Sequence, residues 1–166
     1  VLPCLKKNRT DIKMIASKGG ANGTHLSKKY GINQSSTDYK KILSDDDIDT
    51  VIITTRHRSH SKLVIDSLNA GKNTFVEKPL ALNMLELESI IKVYNHQIQN
   101  NKNIQLSVGF NRRFSPHIEK IKDSIGSNMY PLNINATMNA GFIPKDHWTQ
   151  DLKSGGGRIV GEACHL

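Results

Sequence analysis

The triplet Glu77-Lys78-Pro79 has the residue types with the clearest potential for chemistry in this sequence. A lysine at the mouth of a cleft can hold a hydroxyl or carbonyl oxygen by its charge, and it can move a proton in a reaction. Pro79 disfavours a helical backbone at Lys78, which fixes where that side chain leaves the chain. Glu77 is placed either to orient the lysine or to contact a ribose. An exposed lysine at the end of a strand, without chemical function, is the alternative interpretation.

The residues around this triplet predict a strand–helix–strand unit that would position it. Residues 49–54 are rich in β-branched and apolar side chains, residues 59–70 place apolar side chains on about one helix face, and residues 73–76 form a second short strand. Strands joined by such a crossover helix are parallel. Ligands of open parallel sheets bind beyond the carboxyl ends of the strands. The polar residues at the two predicted strand ends are Thr54, Thr55, Glu77 and Lys78.

The pattern predicts more units of this kind up to residue 113. A strand over residues 11–17, a helix over 21–30, an amphipathic helix after Asn83 and a strand over 102–108 follow one another. This alternation predicts an α/β fold with a Rossmann-type doubly wound parallel sheet. Residues 1–9 are interpreted as the tail of the helix that follows the first strand and its glycine-rich turn. We therefore expect the sheet to lack its first strand and the chain to be a fragment of a longer protein.

The character of the sequence changes beyond residue 113. Residues 116–125 predict a helix, and residues 131–140 alternate between apolar and polar side chains, as in an antiparallel strand with one buried face. We predict two domains from this change. The first is a dinucleotide-binding domain over residues 1–113, and the second is the beginning of an α+β substrate domain over residues 114–166.

Composition and charge narrow the classes of function. The chain has 166 residues and a formal net charge of +8, but its Lys and Arg residues are scattered, so we expect no nucleic-acid partner. No apolar run approaches the roughly 20 residues of a membrane span, and no signal-peptide pattern is visible, so we expect no membrane partner. Cys4 and Cys164 are expected to be free thiols in a reducing cytoplasm. No Cys/His spacing predicts a metal site, and the acidic run at residues 45–49 is interpreted as a solvated loop.

Several motifs together are similar to those of one enzyme family. They are Val51-Ile52-Ile53-Thr54-Thr55 with His60 downstream, Gly71-Lys72-Asn73 leading to Glu77-Lys78-Pro79-Leu80, the run from Val108 to Pro116, and Trp148 to Asp151 followed by Gly155-Gly156-Gly157 and His165. With these motifs the chain resembles, over essentially its whole length, the glucose–fructose oxidoreductase/inositol dehydrogenase (MocA-type) family. Residues 139–144 through 157–159 are similar to one branch, which is often fused behind a zinc-type alcohol-dehydrogenase-like domain in bacterial surface-sugar pathways.

The resemblance implies an NAD(P)-dependent oxidoreductase. Such an enzyme moves a hydride between a nicotinamide cofactor and a hydroxyl or carbonyl of a sugar, sugar nucleotide or polyol, and we expect it to assemble as a homo-oligomer. Lys78 and His165 would be catalytic, with His165 taking the substrate hydroxyl proton as the hydride leaves. The predicted cofactor-binding residues are Ser17, Lys18, Thr54, Thr55, His57, His60, Glu77, Lys78, Asn111 and Trp148. A non-catalytic regulator that binds nucleotide or sugar on the same fold is the alternative.

Departures from the family pattern concern specificity. Gly161, next to Glu162, stands where many relatives carry an aspartate, and Arg56 stands where relatives usually have proline; the first departure suggests a divergent substrate. Ser17 and Lys18 end the strand that in NAD enzymes usually carries an acid for the ribose hydroxyls. A serine and a cation suit a 2′-phosphate better, which predicts NADP rather than NAD. A solvated turn without a role in cofactor choice is an equal alternative.

Overall fold

Two parallel β-sheets flanked by helices make up the computed structural model of the chain, which describes residues 1–100, 103–127, 130–139 and 141–163. The strands are β1 (Met14–Ala16), β2 (Gln34–Ser36), β3 (Thr50–Ile53), β4 (Asn73–Glu77) and β5 (Leu106–Gly109). The helices are α1 (Leu2–Lys7), α2 (Ala21–Tyr30), α3 (Lys40–Leu43), α4 (His60–Asn69), α5 (Met84–Gln99), α6 (Pro116–Ile125) and α7 (Gly157–Glu162). Short 3₁₀ turns at His57–Ser59 and Asn111–Phe114 follow β3 and β5.

The predicted strand–helix–strand unit is confirmed as β3-α4-β4, and α5 and β5 extend it. The three strands pair in the order β3-β4-β5, all parallel. Helix α4 ends before Gly71, whose φ of 73° lies in the left-handed region that terminates many helices. Helix α5 begins after Asn83, whose side-chain oxygen accepts a hydrogen bond from the Glu86 backbone N–H at 3.0 Å. The boundaries of β3, α4 and β4 differ from the predicted ones by at most one residue at each end.

The hydrophobic core lies between the β3-β4-β5 sheet and helices α4 and α5. Val64 and Leu68, four residues apart on one face of α4, are both fully buried. The other buried side chains of this core are Ile53, Val76, Ile90 and Ile104. Since burial of apolar surface is the main favourable contribution to folding, we expect this half of the chain to supply most of the stability.

Leu68→Ala should lower the free energy of unfolding by about 3 kcal/mol, because truncation leaves a cavity at a completely buried site. Leu85→Ala is the matched control, since Leu85 is 76% exposed on the neighbouring helix α5 and has little apolar burial to lose. Urea unfolding of both variants measures the difference. Equal losses of stability would contradict this placement of the core.

The second sheet consists of β1 and β2, and β2 is missing from the elements that the sequence predicts. The two strands are parallel, with Ile15 opposite Ser35. Strand β2 has the sequence Gln-Ser-Ser. It contains no apolar residue, so it lacks the alternation of apolar and polar side chains that predicts a strand. Among the described residues no strand pairs with both β1 and β3, as the first strand does in doubly wound sheets. The two parallel sheets, β1-β2 and β3-β4-β5, therefore agree with the predicted Rossmann-type fold that lacks its first strand.

The predicted strand over residues 131–140 is wrong for the part that the structure describes. Residues 131–139 contain no strand, and both alternating sets of side chains are largely exposed, Leu132 and Ile134 among them. A segment of alternating apolar and polar side chains forms a strand only where a neighbouring strand pairs with its backbone and another layer buries its apolar face. No described element supplies either. Helix α6 forms at its predicted bounds, and the domain boundary at residue 113 remains a prediction.

Two carboxylates of the acidic run before β3 form ion pairs with Lys13, which directly precedes β1, so this run is not a fully solvated loop. Lys13 Nζ lies 2.7 Å from Asp45 Oδ1 and 2.8 Å from Asp47 Oδ2, and Lys72 Nζ donates to the Asp45 carbonyl oxygen at 2.8 Å. The hydrogen bond from Lys13 is the main cause that lowers the pKa of Asp45.

Within the described ranges no group of three or more His, Cys, Asp or Glu is arranged to hold a metal ion. None of the helices described above is long and apolar enough to cross a membrane.

Candidate active site

Three parallel strands end side by side at one edge of the β3-β4-β5 sheet. Thr54 and Thr55 directly follow β3, Lys78 directly follows β4, and Asn111 begins the turn after β5. The parallel register brings these ends to the same edge. Asn111 therefore lies at the same edge of the sheet as Thr54, Thr55 and Lys78, the polar residues that follow the predicted strand–helix–strand unit. Thr54, Thr55 and Asn111 are exposed there, so their polar groups can be reached by a ligand.

Lys78 reaches from this edge to helix α7. Its Nζ donates a hydrogen bond to the carbonyl oxygen of Gly161 at 2.5 Å and lies 3.8 Å from Oε1 of Glu162. The side chain is 21% exposed, and the peptide bond to Pro79 is cis. An ammonium group has three N–H donors. Lys78 is therefore positioned by α7 and keeps donor capacity for a ligand oxygen.

Glu162 and Arg112 are site residues that the sequence did not single out for chemistry. One carboxylate oxygen of Glu162 faces Lys78, and the other lies 3.5 Å from Arg112 Nη2. The carboxylate thus lies between two cations. These contacts join residues 50 or more positions apart, so no local pattern could reveal them. The one sequence signal was that Glu162 stands next to Gly161, the position where relatives carry an acid.

His57 connects the end of β3 to the segment before α7. Its Nδ1 lies 2.8 Å from the carbonyl oxygen of Gly155, and its ring packs edge-on against Trp148 with 4.8 Å between centroids. Because a carbonyl oxygen only accepts, Nδ1 carries the proton, and the neutral ring keeps a lone pair on Nε2. Burial lowers the pKa of His57, although the hydrogen bond to Gly155 opposes the shift. The neutral ring can therefore accept a hydrogen bond from a ligand.

Acidification should destabilise the packing around His57. Because folding lowers this pKa, the contribution of the neutral ring is complete above the ordinary histidine pKa of about 6.5 and is lost as the pH falls through the folded value. Denaturant unfolding at about pH 7 and about pH 5 should show a larger loss of stability in the wild type than in His57→Gln, which cannot ionise. Equal losses in the two proteins would contradict the assignment.

His60 has a different place from the one predicted. Its ring is 1% exposed, with Nδ1 2.7 Å from the Pro79 carbonyl oxygen and Nε2 2.9 Å from the Thr55 carbonyl oxygen. Both ring nitrogens therefore lie against backbone carbonyl oxygens, and a neutral ring, which has one N–H, can donate to one of the two. We infer that His60 ties the residues after β3 to those after β4 instead of contacting a cofactor. The family resemblance had placed His60 among the residues that line the strand end, but this first turn of α4 is buried in the protein interior.

The other predicted site residues are distributed over both sheets. Glu77 is half-buried beside Gly109, where an added Cβ would come 3.0 Å from Glu77 Oε2. Ser17 and Lys18 follow β1 in the second sheet, and Lys18 is exposed. Their role in cofactor choice therefore does not involve the residues around Lys78 and remains a prediction. His165 lies outside the described residues.

Comparison with known proteins agrees with this fold. A family model described as "Oxidoreductase family, NAD-binding Rossmann fold" (Gfo/Idh/MocA) matches residues 2–110. The chain is 30% identical over 100 residues to the myo-inositol 2-dehydrogenase of Thermotoga maritima, and this alignment covers 60% of this chain and 28% of that protein. It is 31% identical over 121 residues to the inositol 2-dehydrogenase of Salmonella typhimurium, and this alignment covers 70% of this chain and 35% of that protein. The chain thus spans about a third of the length of these curated relatives.

A solved structure extends the similarity beyond residue 110. Levoglucosan dehydrogenase in complex with NADH and levoglucosan superposes with a TM-score of 0.70 at 25% identity, covering 93% of this chain and 42% of that one. The family model alone matches well over half of the chain, and the strand order is the one that a Rossmann-type fold requires. The chain therefore belongs to the Gfo/Idh/MocA oxidoreductase family and has its NAD-binding Rossmann-type fold.

Proposed function

We propose that the complete gene product is an NAD(P)-dependent oxidoreductase that transfers a hydride between the nicotinamide cofactor and a sugar, sugar nucleotide or polyol. The observation that carries this proposal is the placement of Lys78, which is held against α7 at the edge where three parallel strands end. The names of the relatives support it, since they are inositol dehydrogenases and a levoglucosan dehydrogenase bound to NADH.

The side chains at this edge fit a dinucleotide. The exposed hydroxyl groups of Thr54 and Thr55 and the exposed amide of Asn111 suit ribose hydroxyls and a carboxamide. Lys18, exposed after β1, suits a phosphate. When bound, the nicotinamide supplies the hydride acceptor or donor. We propose that Thr54, Thr55 and Asn111 orient it and that the half-buried Trp148 forms a wall of its site.

Lys78 would act on the substrate oxygen. As an alcohol loses its hydride, it must also lose its hydroxyl proton, and the oxygen becomes more negative before the carbonyl forms. The Lys78 ammonium group would hold that oxygen through an unused N–H and stabilise the charge. Glu162 fixes the direction of the lysine side chain. We propose His165 as the group that takes the proton, as the family resemblance implies, with the lone pair on His57 Nε2 as an additional acceptor for a substrate hydroxyl.

Turnover assays of the complete gene product test the function. Myo-inositol, glucose and levoglucosan are offered with NAD and with NADP, and the reduced nicotinamide is followed by its absorbance. Glucuronate, glucose 6-phosphate and a nucleoside-diphosphate sugar are offered in the same way, and we expect reduction of the cofactor with at least one member of this wider panel. Dinucleotide binding without turnover of any of them would favour the non-catalytic regulator instead.

We propose that NADP is the preferred cofactor, because Ser17 and Lys18 replace an acid at the end of β1. Lys18→Gln should lower the NADP-to-NAD ratio of kcat/KM about tenfold, since a charge-assisted hydrogen bond to the 2′-phosphate is lost. Lys28→Gln, which removes an exposed lysine from α2, is the control and should leave the ratio unchanged. A wild-type preference for NAD would mean that Ser17 and Lys18 form only a turn.

We further propose that the protein is cytoplasmic and forms a homo-oligomer. Cys4, an exposed free thiol, is compatible with the reducing cytoplasm. Several apolar side chains of α6 and of residues 130–139 are exposed, and an interface between subunits would bury them. Light scattering of the complete gene product measures the oligomeric state.

A further inference from the structure

We propose that Arg56 forms an anion-binding subsite beside Lys78, so that the substrate carries a carboxylate or phosphate group in addition to the carbon that reacts. The proposal rests on the proposed oxidoreductase function for the identity of the reacting carbon. It narrows the substrate class from sugars and polyols in general to sugar acids, sugar phosphates or sugar nucleotides.

Arg56 is held in place by an aromatic ring. The guanidinium carbon lies 5.4 Å from the centroid of the Trp148 ring, which is a cation–π distance. Trp148 is itself fixed, because the ring of His57 packs against it edge-on at 4.8 Å and His57 is hydrogen-bonded to the Gly155 carbonyl. The guanidinium group therefore has a defined position although the residue is exposed.

The N–H donors of this guanidinium group are available. The contact with Trp148 is with an aromatic ring and not with an acceptor atom, and a guanidinium group has five N–H donors. In the described part of the chain no carboxylate lies within ion-pair distance of Arg56. A planar fork of donors with a fixed position matches the two oxygens of a carboxylate or a phosphate. By contrast, the other two cations near the site, Lys78 and Arg112, already share the Glu162 carboxylate.

A series of contacts through Trp148, His57 and Gly161 connects Arg56 to Lys78. Trp148 contacts His57, and Cε1 of His57 lies 3.5 Å from where a Cβ of Gly161 would be. The carbonyl oxygen of the same Gly161 accepts the hydrogen bond from Lys78. We place the substrate along these contacts, with its reacting hydroxyl at Lys78 and its anionic group at Arg56. The cofactor also carries phosphates, so the experiment must separate the two sources of negative charge.

Tryptophan fluorescence tests the subsite, because Trp148 contacts Arg56 and its signal is the part of the fluorescence that Trp148→Phe removes. The complete gene product is titrated at constant ionic strength with glucuronate, with glucose 6-phosphate, with uncharged glucose, and with NAD and NADP. We expect a saturable change with at least one anion, absent in Trp148→Phe, and an affinity for that anion about tenfold lower in Arg56→Gln. Which anion binds distinguishes the carboxylate from the phosphate.

The matched control is Arg58→Gln. Arg58 is exposed two residues further on and borders the groove between α4 and α5, so its replacement should leave anion affinity unchanged. No saturable change with either anion, equal losses in both variants, or a loss in Arg56→Gln confined to NAD and NADP would each overturn the proposal. These results do not depend on hydride transfer. Anion binding through Arg56 in a protein without dehydrogenase activity would leave the subsite standing and refute the proposed function.

Discussion

Lys78→Met should lower kcat/KM of the complete gene product about a thousandfold, because the substrate oxygen loses the group that holds it and stabilises its charge. Methionine has a similar length and no charge, so the variant tests the ammonium group rather than the volume of the side chain. The loss should appear mainly in kcat, since an interaction that strengthens in the transition state affects the chemical step. Steady-state kinetics with the best polyol or sugar substrate measure it.

Lys92→Met is the control for this substitution. Lys92 is exposed on α5, away from the strand ends, and its replacement should leave the kinetics unchanged. Lys78→Arg keeps the charge but replaces a compact ammonium group by a larger planar one, so we expect only partial activity. If Lys78→Met retained more than about a tenth of the wild-type kcat/KM, the lysine would hold α7 in place without taking part in the reaction.

The βαβ half of the fold could be predicted because its signals are local. Residues 59–70 combine helical periodicity with a terminal glycine, and residues 49–54 and 73–76 are short and apolar, so the elements and their boundaries agree with the structure. Parallel pairing then follows from the length of the crossover. The same reasoning failed for residues 131–139, where the alternation is real but no neighbouring strand is described. It also missed β2, whose three polar residues are a strand only because β1 pairs with them.

The candidate site was predictable as a set of strand ends but not as a set of contacts. The location of Lys78 came from the order of the elements, and its expected role came from the family resemblance. Its partner Gly161 is 83 positions away, and the Gly155 partner of His57 is 98 positions away. Contacts of that separation depend on how α7 packs on the sheet, which no periodicity encodes. His60 was assigned to the cofactor because of the family resemblance, whereas the structure buries its ring against two backbone carbonyl oxygens.

Gly155→Ala should displace the segment that carries Trp148 and leave His57 without its hydrogen-bond partner. Gly155 is buried, and a Cβ added there would lie 2.5 Å from the Trp148 carbonyl oxygen and would also clash with the Thr149 backbone. Backbone cannot move aside as the end of a side chain can. We therefore expect a cost of about 3 kcal/mol, at the upper end of the usual range for overpacking, which favours the displaced segment over the packed one.

His57 is the reporter for this displacement. Burial is the main cause of its lowered pKa, and that burial comes with the contacts to Trp148 and Gly155. In Gly155→Ala the pKa of His57 should therefore rise toward the ordinary value of about 6.5, as measured by NMR titration of its ring. Gly19→Ala is the matched control, because no atom lies within 4 Å of a Cβ there and the backbone tolerates alanine. An unchanged pKa of His57 in Gly155→Ala would contradict the prediction, because residues 148–155 would then keep their contact with His57 despite the added Cβ.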